Sequence, residues 1–224
     1  RGAGRMNAVA EAILNFLFPP HCPACGGYVR RRGGWCSDCL LRTIAVRRIP
    51  LSFEARKFIT EGWALGRYHT ALRELLLPLK YQGRRDRLPY LATFLAAAAG
   101  RCPVLSPAAL AVPVPLFSAR EKERGFNQTE LIFRDWLTAA GWTWRSALMR
   151  TRATVPQHGL SAAERAANLA GAFACSPRAS VAGERVLLVD DIFTTGATAV
   201  ACAKALRQGG AARVDVLVVA SDSI

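Results

Sequence analysis

The sequence contains no apolar run long enough to cross a membrane, since the longest candidate, residues 91–99, is short and rich in alanine. The amino-terminal segment carries Glu11 and Asn15 inside its apolar stretch and has no small-residue cleavage site, so no signal peptide is predicted. The Gly-Lys-Ser/Thr ending of a nucleotide-binding P-loop is absent as well. The lack of a membrane-spanning run and of a signal peptide predicts a cytoplasmic protein with no membrane span, and the lack of a P-loop ending disfavours a P-loop nucleotide site.

Acidic residues are scarce: the chain has 16 of them against 30 basic residues, and its net charge is +14. The imbalance is uneven, because the segment from residue 185 to the end contains four residues of each sign. Such an excess of positive charge makes a polyanion, above all nucleic acid, a candidate partner. A basic surface without such a partner is the alternative that the composition leaves open.

With 224 residues, of which 51% are apolar, the chain can build one sizeable α/β domain and a small appendage. The clearest pattern lies near the carboxyl end. Residues 186–189 form a continuous apolar run typical of a strand buried on both faces. A polar loop follows, then a helix that stops at Gly209, then a second strand over residues 214–219. This order predicts a βαβ unit of a parallel sheet, with the polar loop at the edge where such sheets bind ligands.

The residue types of that loop indicate a phosphorylated sugar. Threonine hydroxyls, a glycine that permits close approach and the start of a helix make a cradle for one phosphate. Two adjacent carboxylates can accept hydrogen bonds from the vicinal diol of a ribose. The candidate residues are Asp190 and Asp191 for the diol and Thr194, Thr195, Gly196, Ala197 and Thr198 for the phosphate.

Four of the seven cysteines form two Cys-x-x-Cys pairs, which are Cys22 with Cys25 and Cys36 with Cys39. Two such pairs can surround one Zn²⁺ through four thiolates, which leaves no open position for catalysis. The pattern therefore predicts a structural zinc ribbon over residues 21–45, preceded by a helix within residues 1–20. Disulfides are the alternative, disfavoured by the expected location and by the odd number of cysteines.

Basic residues gather at two further places. Arg30, Arg31 and Arg32 lie between the cysteine pairs with Tyr28 and Trp35 nearby, a mixture that suits single-stranded nucleic acid. An ordinary solvated loop, with the aromatic rings packing the ribbon, is the alternative. After a predicted strand at residues 112–115 come Arg120, Lys122 and Arg124, which could contact a departing pyrophosphate. A charge run at a helix start is the competing interpretation.

Several motifs occur together in one order: the cysteine pairs, Lys80-Tyr-Gln-Gly83, Val-Pro-Val-Pro from residue 112, Arg124-Gly-Phe-Asn-Gln128, Gln-x-Gly-Leu-Ser-x-x-Glu-Arg-x-x-Asn from residue 157 and the acid-pair loop. The set resembles the ComF/GntX group over nearly all of residues 12–220. The resemblance implies an α/β fold of the type I phosphoribosyltransferase kind, a Rossmann-like parallel-sheet domain over residues 60–224 with a small amino-terminal zinc ribbon.

The resemblance also implies a ligand and a role. The ligand is phosphoribosyl pyrophosphate with Mg²⁺, and an active enzyme would transfer its phosphoribosyl group and release pyrophosphate. Members of the group are associated with natural competence, so single-stranded DNA and proteins of DNA uptake or recombination become candidate partners. A DNA-uptake factor that binds single-stranded DNA without catalysis, and uses the pocket as a sensor, is the alternative hypothesis.

Overall fold

The computed structural model describes residues 15–103, 110–117, 124–154 and 161–222. The strands in these ranges are β1 Ile44–Arg48, β2 Glu61–Arg67, β3 Leu110–Pro113, β4 Thr143–Trp144, β5 Leu148–Arg150, β6 Phe173–Cys175, β7 Arg185–Phe193 and β8 Arg213–Ser221. The α-helices are α1 Ser37–Thr43, α2 Phe53–Arg56, α3 Thr70–Gln82, α4 Leu88–Ala99, α5 Gln128–Ala139, α6 Ala162–Leu169 and α7 Ala197–Gln208. A 3-10 turn, Arg85–Arg87, joins α3 to α4.

Six strands form the main sheet in the order β1-β2-β8-β7-β3-β4, and β5 pairs with β6 in a separate antiparallel sheet. Every neighbouring pair in the main sheet is parallel except β1 with β2. The predicted α/β class with a parallel sheet is therefore confirmed. Because β7 is followed by β8 on one side and flanked by β3 on the other, the strand order reverses at β7, which is where open sheets bind ligands.

Side chains of β7 alternate between two hydrophobic layers, as the period of a strand requires. Leu187 and Val189 pack on the layer that contains α3, α4 and α5, whereas Val186 and Leu188 pack on the layer that contains α7 and the small sheet. Burying each of these side chains contributes roughly 1.5–3 kcal/mol. Residues 186–189 are all apolar because both faces of this part of the strand are covered.

Most elements lie where the sequence predicts them, and the differences have physical reasons. The Ser-x-x-Glu pattern of residues 161–164 predicts a helix start near residue 162. A reciprocal cap confirms it, in which Ser161 accepts from the backbone of Glu164 and Glu164 accepts from that of Ser161. Strand β7 continues four residues beyond the apolar run, since its ladder with β8 extends to Phe193. Strand β1, which no sequence pattern predicts, pairs with β2 and forms one edge of the sheet.

The cysteine-containing segment packs against α4. Trp35 donates a hydrogen bond from Nε1 to the carbonyl oxygen of Tyr90 at 2.9 Å, and its ring centroid lies 6.2 Å from that of Phe94. Thr93 donates to the carbonyl oxygen of Gly33 at 2.9 Å. These contacts hold the segment to the sheet domain. In the part of the chain that is described, no helix has the length and apolar character needed to span a bilayer.

Candidate functional site

The loop of residues 194–198, called the phosphate loop below, connects the end of β7 to the start of α7. Gly196 has φ +77° and is the residue at which α7 begins, with Val200 donating its backbone N–H to the Gly196 carbonyl at 2.9 Å. A Cβ atom at Gly196 would lie 2.4 Å from Cζ of Phe193. The conformation and the packed ring both require glycine here, and they fix the loop around the helix N-terminus.

A concave pocket joins this loop to the first acid. It is lined by Asp190, by the residues from Ile192 to Ala199 and by Val218 of the neighbouring strand. Six of the seven residues that the sequence suggests for a sugar phosphate line it together, namely Asp190, Thr194, Thr195, Gly196, Ala197 and Thr198. Asp191 is the exception.

The two acids occupy different environments because successive residues of a strand point to opposite faces. Asp191 is 2% exposed and lies among α3 and α5. Its carboxylate accepts hydrogen bonds from Nζ of Lys80 at 3.4 Å and from Nε2 of Gln128 at 3.3 Å. Asp190 is half-buried, and its Oδ1 accepts from the backbone N–H of Asp191 at 2.8 Å and from the Thr129 hydroxyl at 3.4 Å.

Burial, assisted by the negative charge of Asp191, raises the pKa of Asp190 to about 7, while Lys80 opposes the shift. The pKa of Lys80 is raised chiefly by Asp191, so the ammonium group stays charged. The site thus combines the ion pair of Lys80 and Asp191 with a second carboxyl group, that of Asp190, whose pKa is raised to about 7. A hydroxyl donor or a metal cation beside Asp190 would favour its ionised form.

The four cysteine sulfurs all lie within 4.8 Å of one another. The Sγ atoms of Cys25 and Cys36 are 3.9 Å apart, close to the edge of about 3.8 Å expected for a tetrahedron with Zn–S bonds of about 2.3 Å. All seven cysteines of the chain belong to the described residues, and none of them forms a disulfide. The cluster Cys22, Cys25, Cys36 and Cys39 therefore fits a closed, structural Zn²⁺ site, and disulfides are excluded in this structure.

Comparison with known proteins agrees with both parts of this architecture. Residues 13–49 match a family model described as a double zinc ribbon domain, and residues 143–223 match one described as a phosphoribosyl transferase domain. A DNA utilization protein YhgH from Salmonella typhimurium is 34% identical over 203 residues, which cover 87% of each chain. The chain belongs to the ComF/GntX family. Its relative from Escherichia coli K12, also named DNA utilization protein YhgH, is 32% identical over 199 residues, covering 87% of this chain and 81% of the relative. Competence protein F of Haemophilus influenzae is 29% identical over 207 residues, covering 88% and 82%.

Sequence reasoning missed Lys80, Gln128 and Thr129 as site residues of this ComF/GntX-family chain, although two of them lie in motifs shared with the family. Lys80 is the one cation on the apolar face of α3, four residues after the buried Leu76. Gln128 opens α5, and Asn127 before it ties that helix to the end of β3 by donating to the Val114 carbonyl at 3.1 Å. A charged residue at an apolar helical position was the available signal.

Of the two arginine-rich segments, the one that follows β3 is only partly described. Arg120 and Lys122 lie outside the described residues. Arg124 donates from Nη1 to Oε1 of Gln128 at 3.2 Å, and its guanidinium lies 5.9 Å from the ring centroid of Tyr81. Because Gln128 contacts Asp191, Arg124 is one residue removed from the acid pair. Its proposed contact with pyrophosphate remains a prediction.

On the ribbon, Arg30, Arg31 and Arg32 are exposed, and Arg32 donates to the carbonyl oxygen of Phe18 at 3.3 Å. The two neighbouring aromatic residues differ. Tyr28 is 65% exposed, whereas Trp35 is 9% exposed and serves the contact with α4. One ring is therefore available for stacking, and nucleic-acid binding by this segment remains a prediction.

The zinc assignment can be tested by replacing one ligand. Cys36→Ser is expected to reduce bound zinc from about one equivalent per chain to a small fraction of it, because structural sites need all four ligands. The ribbon should then loosen, which would change the fluorescence of the Trp35 that anchors it. Metal analysis of purified protein measures the first effect. Cys175→Ser is the matched control and should keep its zinc; zinc retained by Cys36→Ser would contradict the assignment.

Proposed function

We propose that this chain binds phosphoribosyl pyrophosphate, with the 5-phosphate in the phosphate loop and the ribose diol at Asp190. The observation that carries the proposal is the single pocket in which Asp190 and the phosphate loop meet at the N-terminus of α7. Backbone N–H groups at a helix start and threonine hydroxyls suit a phosphate dianion. A carboxylate at the adjacent strand end suits hydroxyl donors.

The Mg²⁺ that accompanies the diphosphate would be held mainly by ligand oxygens and water, with Asp190 as the protein carboxylate within reach. When bound, it neutralises charge on the diphosphate. Asp191 does not need to touch the ligand. Its ion pair with Lys80 and its hydrogen bond from Gln128 position the strand end, so that Asp190 is presented at a fixed place.

Transfer would follow from this arrangement. The acceptor forms a bond to C1 of the ribose while the bond from C1 to the diphosphate oxygen breaks, and the electron pair leaves with pyrophosphate. Positive charge from the loop that contains Arg120, Lys122 and Arg124 would stabilise that leaving group. Positioning and charge stabilisation supply the effect, and no side chain is required as a nucleophile.

The biological role that we propose is in natural competence or DNA utilisation, as the names of the relatives suggest. A cytoplasmic location belongs to the proposal, since four zinc-binding thiolates persist in a reducing compartment. The second candidate function is single-stranded DNA binding without catalysis, supported by exposed Arg30, Arg31 and Tyr28 on the ribbon. DNA-uptake or recombination proteins would be partners in either case.

Thermal unfolding of zinc-loaded protein tests the ligand. Saturation to about 100 times the dissociation constant stabilises a protein by about 2.7 kcal/mol, which for a chain of this size raises Tm by roughly 5–10 °C. Mg²⁺ with phosphoribosyl pyrophosphate should give such a shift, and an unchanged Tm would overturn the proposal.

Exchange of labelled pyrophosphate into phosphoribosyl pyrophosphate then distinguishes an enzyme, which catalyses it, from a sensor, which does not. Affinity for single-stranded DNA that falls steeply with salt, and falls again on replacing Arg30, Arg31 and Arg32 by Gln, would support the second function.

A further inference from the structure

Four basic side chains meet where the carboxyl ends of β2 and β8 lie beside the antiparallel strand β1, and are called the basic cluster below: Arg47, Arg67, His69 and Arg73. Arg67 is the last residue of β2, and His69 and Arg73 are four residues apart at the start of α3, so they share one face of that helix. Asp222, just after β8, is the acid that interacts with His69, Arg47 and Arg73. The cluster therefore has more positive than negative charge.

Arg47 is the member of the basic cluster whose side chain is held in place by hydrogen bonds. Its Nη2 donates to the carbonyl oxygen of Ser221 at 2.7 Å and its Nη1 to that of Ala45 at 3.2 Å. Its Nε is buried and has no hydrogen-bond partner among the described residues. Burial, followed by repulsion from Arg67, lowers its pKa. Because the Arg47 guanidinium is held near that of Arg67, an anion bound between them would reduce their repulsion and be stabilised by both.

The backbone at this corner also favours an anion. Helix α3 begins after His69 without a side-chain cap, so its N-terminal N–H groups add partial positive charge. Thr70, its first residue, has φ +34°, a conformation that is strained for a β-branched residue. Strain of this kind is concentrated at functional sites.

The basic cluster lies beside the proposed sugar-phosphate pocket. Phe193 of β7 pairs with Ser221 of β8, and Ser221 pairs with Arg67 of β2, so three strand ends stand side by side. The backbone N–H groups of Asp222 and Tyr68 tie them further, to the carbonyls of Phe193 at 3.4 Å and Ser221 at 3.1 Å. Neighbouring strands lie about 4.8 Å apart, so β2 lies about 10 Å from β7 across β8. This distance leaves room for one ring-bearing molecule beside a ribose bound at the end of β7.

Tyr68 lies between the basic cluster and the acid pair. It is half-buried, and burial is the main reason that its pKa is raised. Its hydroxyl interacts electrostatically with Arg73 and Asp222 on the side of the basic cluster and with Lys80 and Asp191 on the side of the acid pair. An amphipathic ring at this position can contact a flat molecule.

We infer that the basic cluster binds an anionic group, a carboxylate or a phosphate, on the molecule that accepts the phosphoribosyl group. This inference rests on the proposed function and names the class of acceptor: a small molecule with a negative charge about 10 Å from the phosphate loop. A small acceptor is favoured over a polynucleotide because the four residues lie at one corner of the sheet, where Arg47 is held by its hydrogen bond to Ser221.

The test uses the full zinc-loaded chain, labelled with ¹⁵N and saturated with Mg²⁺ and phosphoribosyl pyrophosphate. Binding of that ligand is measured first on the same sample, so failure of the proposed function would appear at this step and not in the titration. Sodium sulfate is then added at constant ionic strength. Saturable shifts of the amide signals of residues 67–73 and 221–222 are expected.

Arg67→Gln combined with Arg73→Gln should weaken sulfate binding at least about fivefold while leaving phosphoribosyl pyrophosphate binding unchanged. The matched control is Arg101→Gln combined with Arg134→Gln, which removes the same charge from exposed positions elsewhere and should leave both unchanged. Equal weakening by both pairs, or no shift near residues 67–73, would overturn the inference.

Two further arms identify the source of the anion. Pyridine-3-carboxylate is compared with its neutral amide, and a nucleoside monophosphate with its nucleoside. The charged member of at least one pair should move the same amide signals more strongly than its neutral partner. Shifts produced by a single-stranded oligonucleotide but by neither charged small molecule would overturn the assignment to a small acceptor.

Discussion

Asp190→Asn is expected to weaken the binding of phosphoribosyl pyrophosphate by about 10- to 100-fold, because it removes a charge-assisted hydrogen bond worth roughly 1.5–3 kcal/mol. The same substitution is expected to stabilise the unliganded protein above pH 7. Asp190 has a native pKa of about 7, raised from 3.8. Between pH 3.8 and about pH 7, the native state keeps a proton on Asp190 that the unfolded chain has released. The free energy of unfolding of the wild type therefore falls as the pH rises through this range. Asp190→Asn has no carboxyl group at this position, so its free energy of unfolding does not fall for this reason.

Asp191→Asn is the matched substitution one residue along the strand, and its expected stability change has the opposite sign. It leaves the partly buried Lys80 without its ion pair, and breaking such a pair costs about 3 kcal/mol or somewhat less, given the partial exposure of Lys80. Calorimetric titration at pH 8 measures affinity, and urea unfolding measures stability. If Asp190→Asn and Asp191→Asn lost the same affinity and changed stability by the same amount, the assignment of different roles to the two acids would be contradicted.

Gly196→Ala should have the second large effect. Its φ of +77° is costly for alanine by about 1–2 kcal/mol, and the new Cβ would overlap the Phe193 ring, with overpacking that typically costs a further 1–3 kcal/mol. Because Phe193 directly precedes the phosphate loop and Gly196 lies inside it, relief of that overlap must move the loop. We expect the affinity for phosphoribosyl pyrophosphate to fall by about 100-fold or more, as a near-complete loss of the phosphate contacts implies.

Gly183→Ala separates the effect of backbone strain from the effect of overlap with the Phe193 ring. Gly183 has φ +74°, and a Cβ there would meet nothing within 4 Å, so this variant carries the backbone strain without the overlap and without a role in binding. It should lose stability and keep its affinity. Combining Gly196→Ala with Phe193→Leu should recover part of the binding by making room for the new methyl group. Wild-type affinity in Gly196→Ala alone would contradict the description of the loop.

Features that depend on neighbours in sequence were predictable, and features that depend on distant contacts were not. The phosphate loop, the cap at Ser161 and the four cysteines are local patterns whose residues determine their own geometry. The separation of Asp190 from Asp191 follows from strand periodicity only once β7 is known to extend to Phe193. Lys80 and Asp191 are 111 residues apart, and nothing local marks them as partners.

The same distinction explains the ribbon and the basic cluster. The sequence placed Trp35 among ribbon aromatics, but its partner Tyr90 lies 55 residues away on α4. Nothing in the sequence around Arg47 distinguishes it from its neighbour Arg48. Its contact with Ser221 exists only because β1 adds antiparallel to β2, which a sequence without an alternating apolar pattern in residues 44–48 does not predict.

The most direct test of the central claim, that residues 194–198 seat the 5-phosphate of a ribose, is the ³¹P NMR spectrum of ribose 5-phosphate in the presence of the zinc-loaded chain. We expect a saturable shift of the phosphate signal at one ligand per chain, reversed by excess phosphoribosyl pyrophosphate and absent with Gly196→Ala. A phosphate signal that does not move, or that moves equally with Gly196→Ala, would contradict the claim.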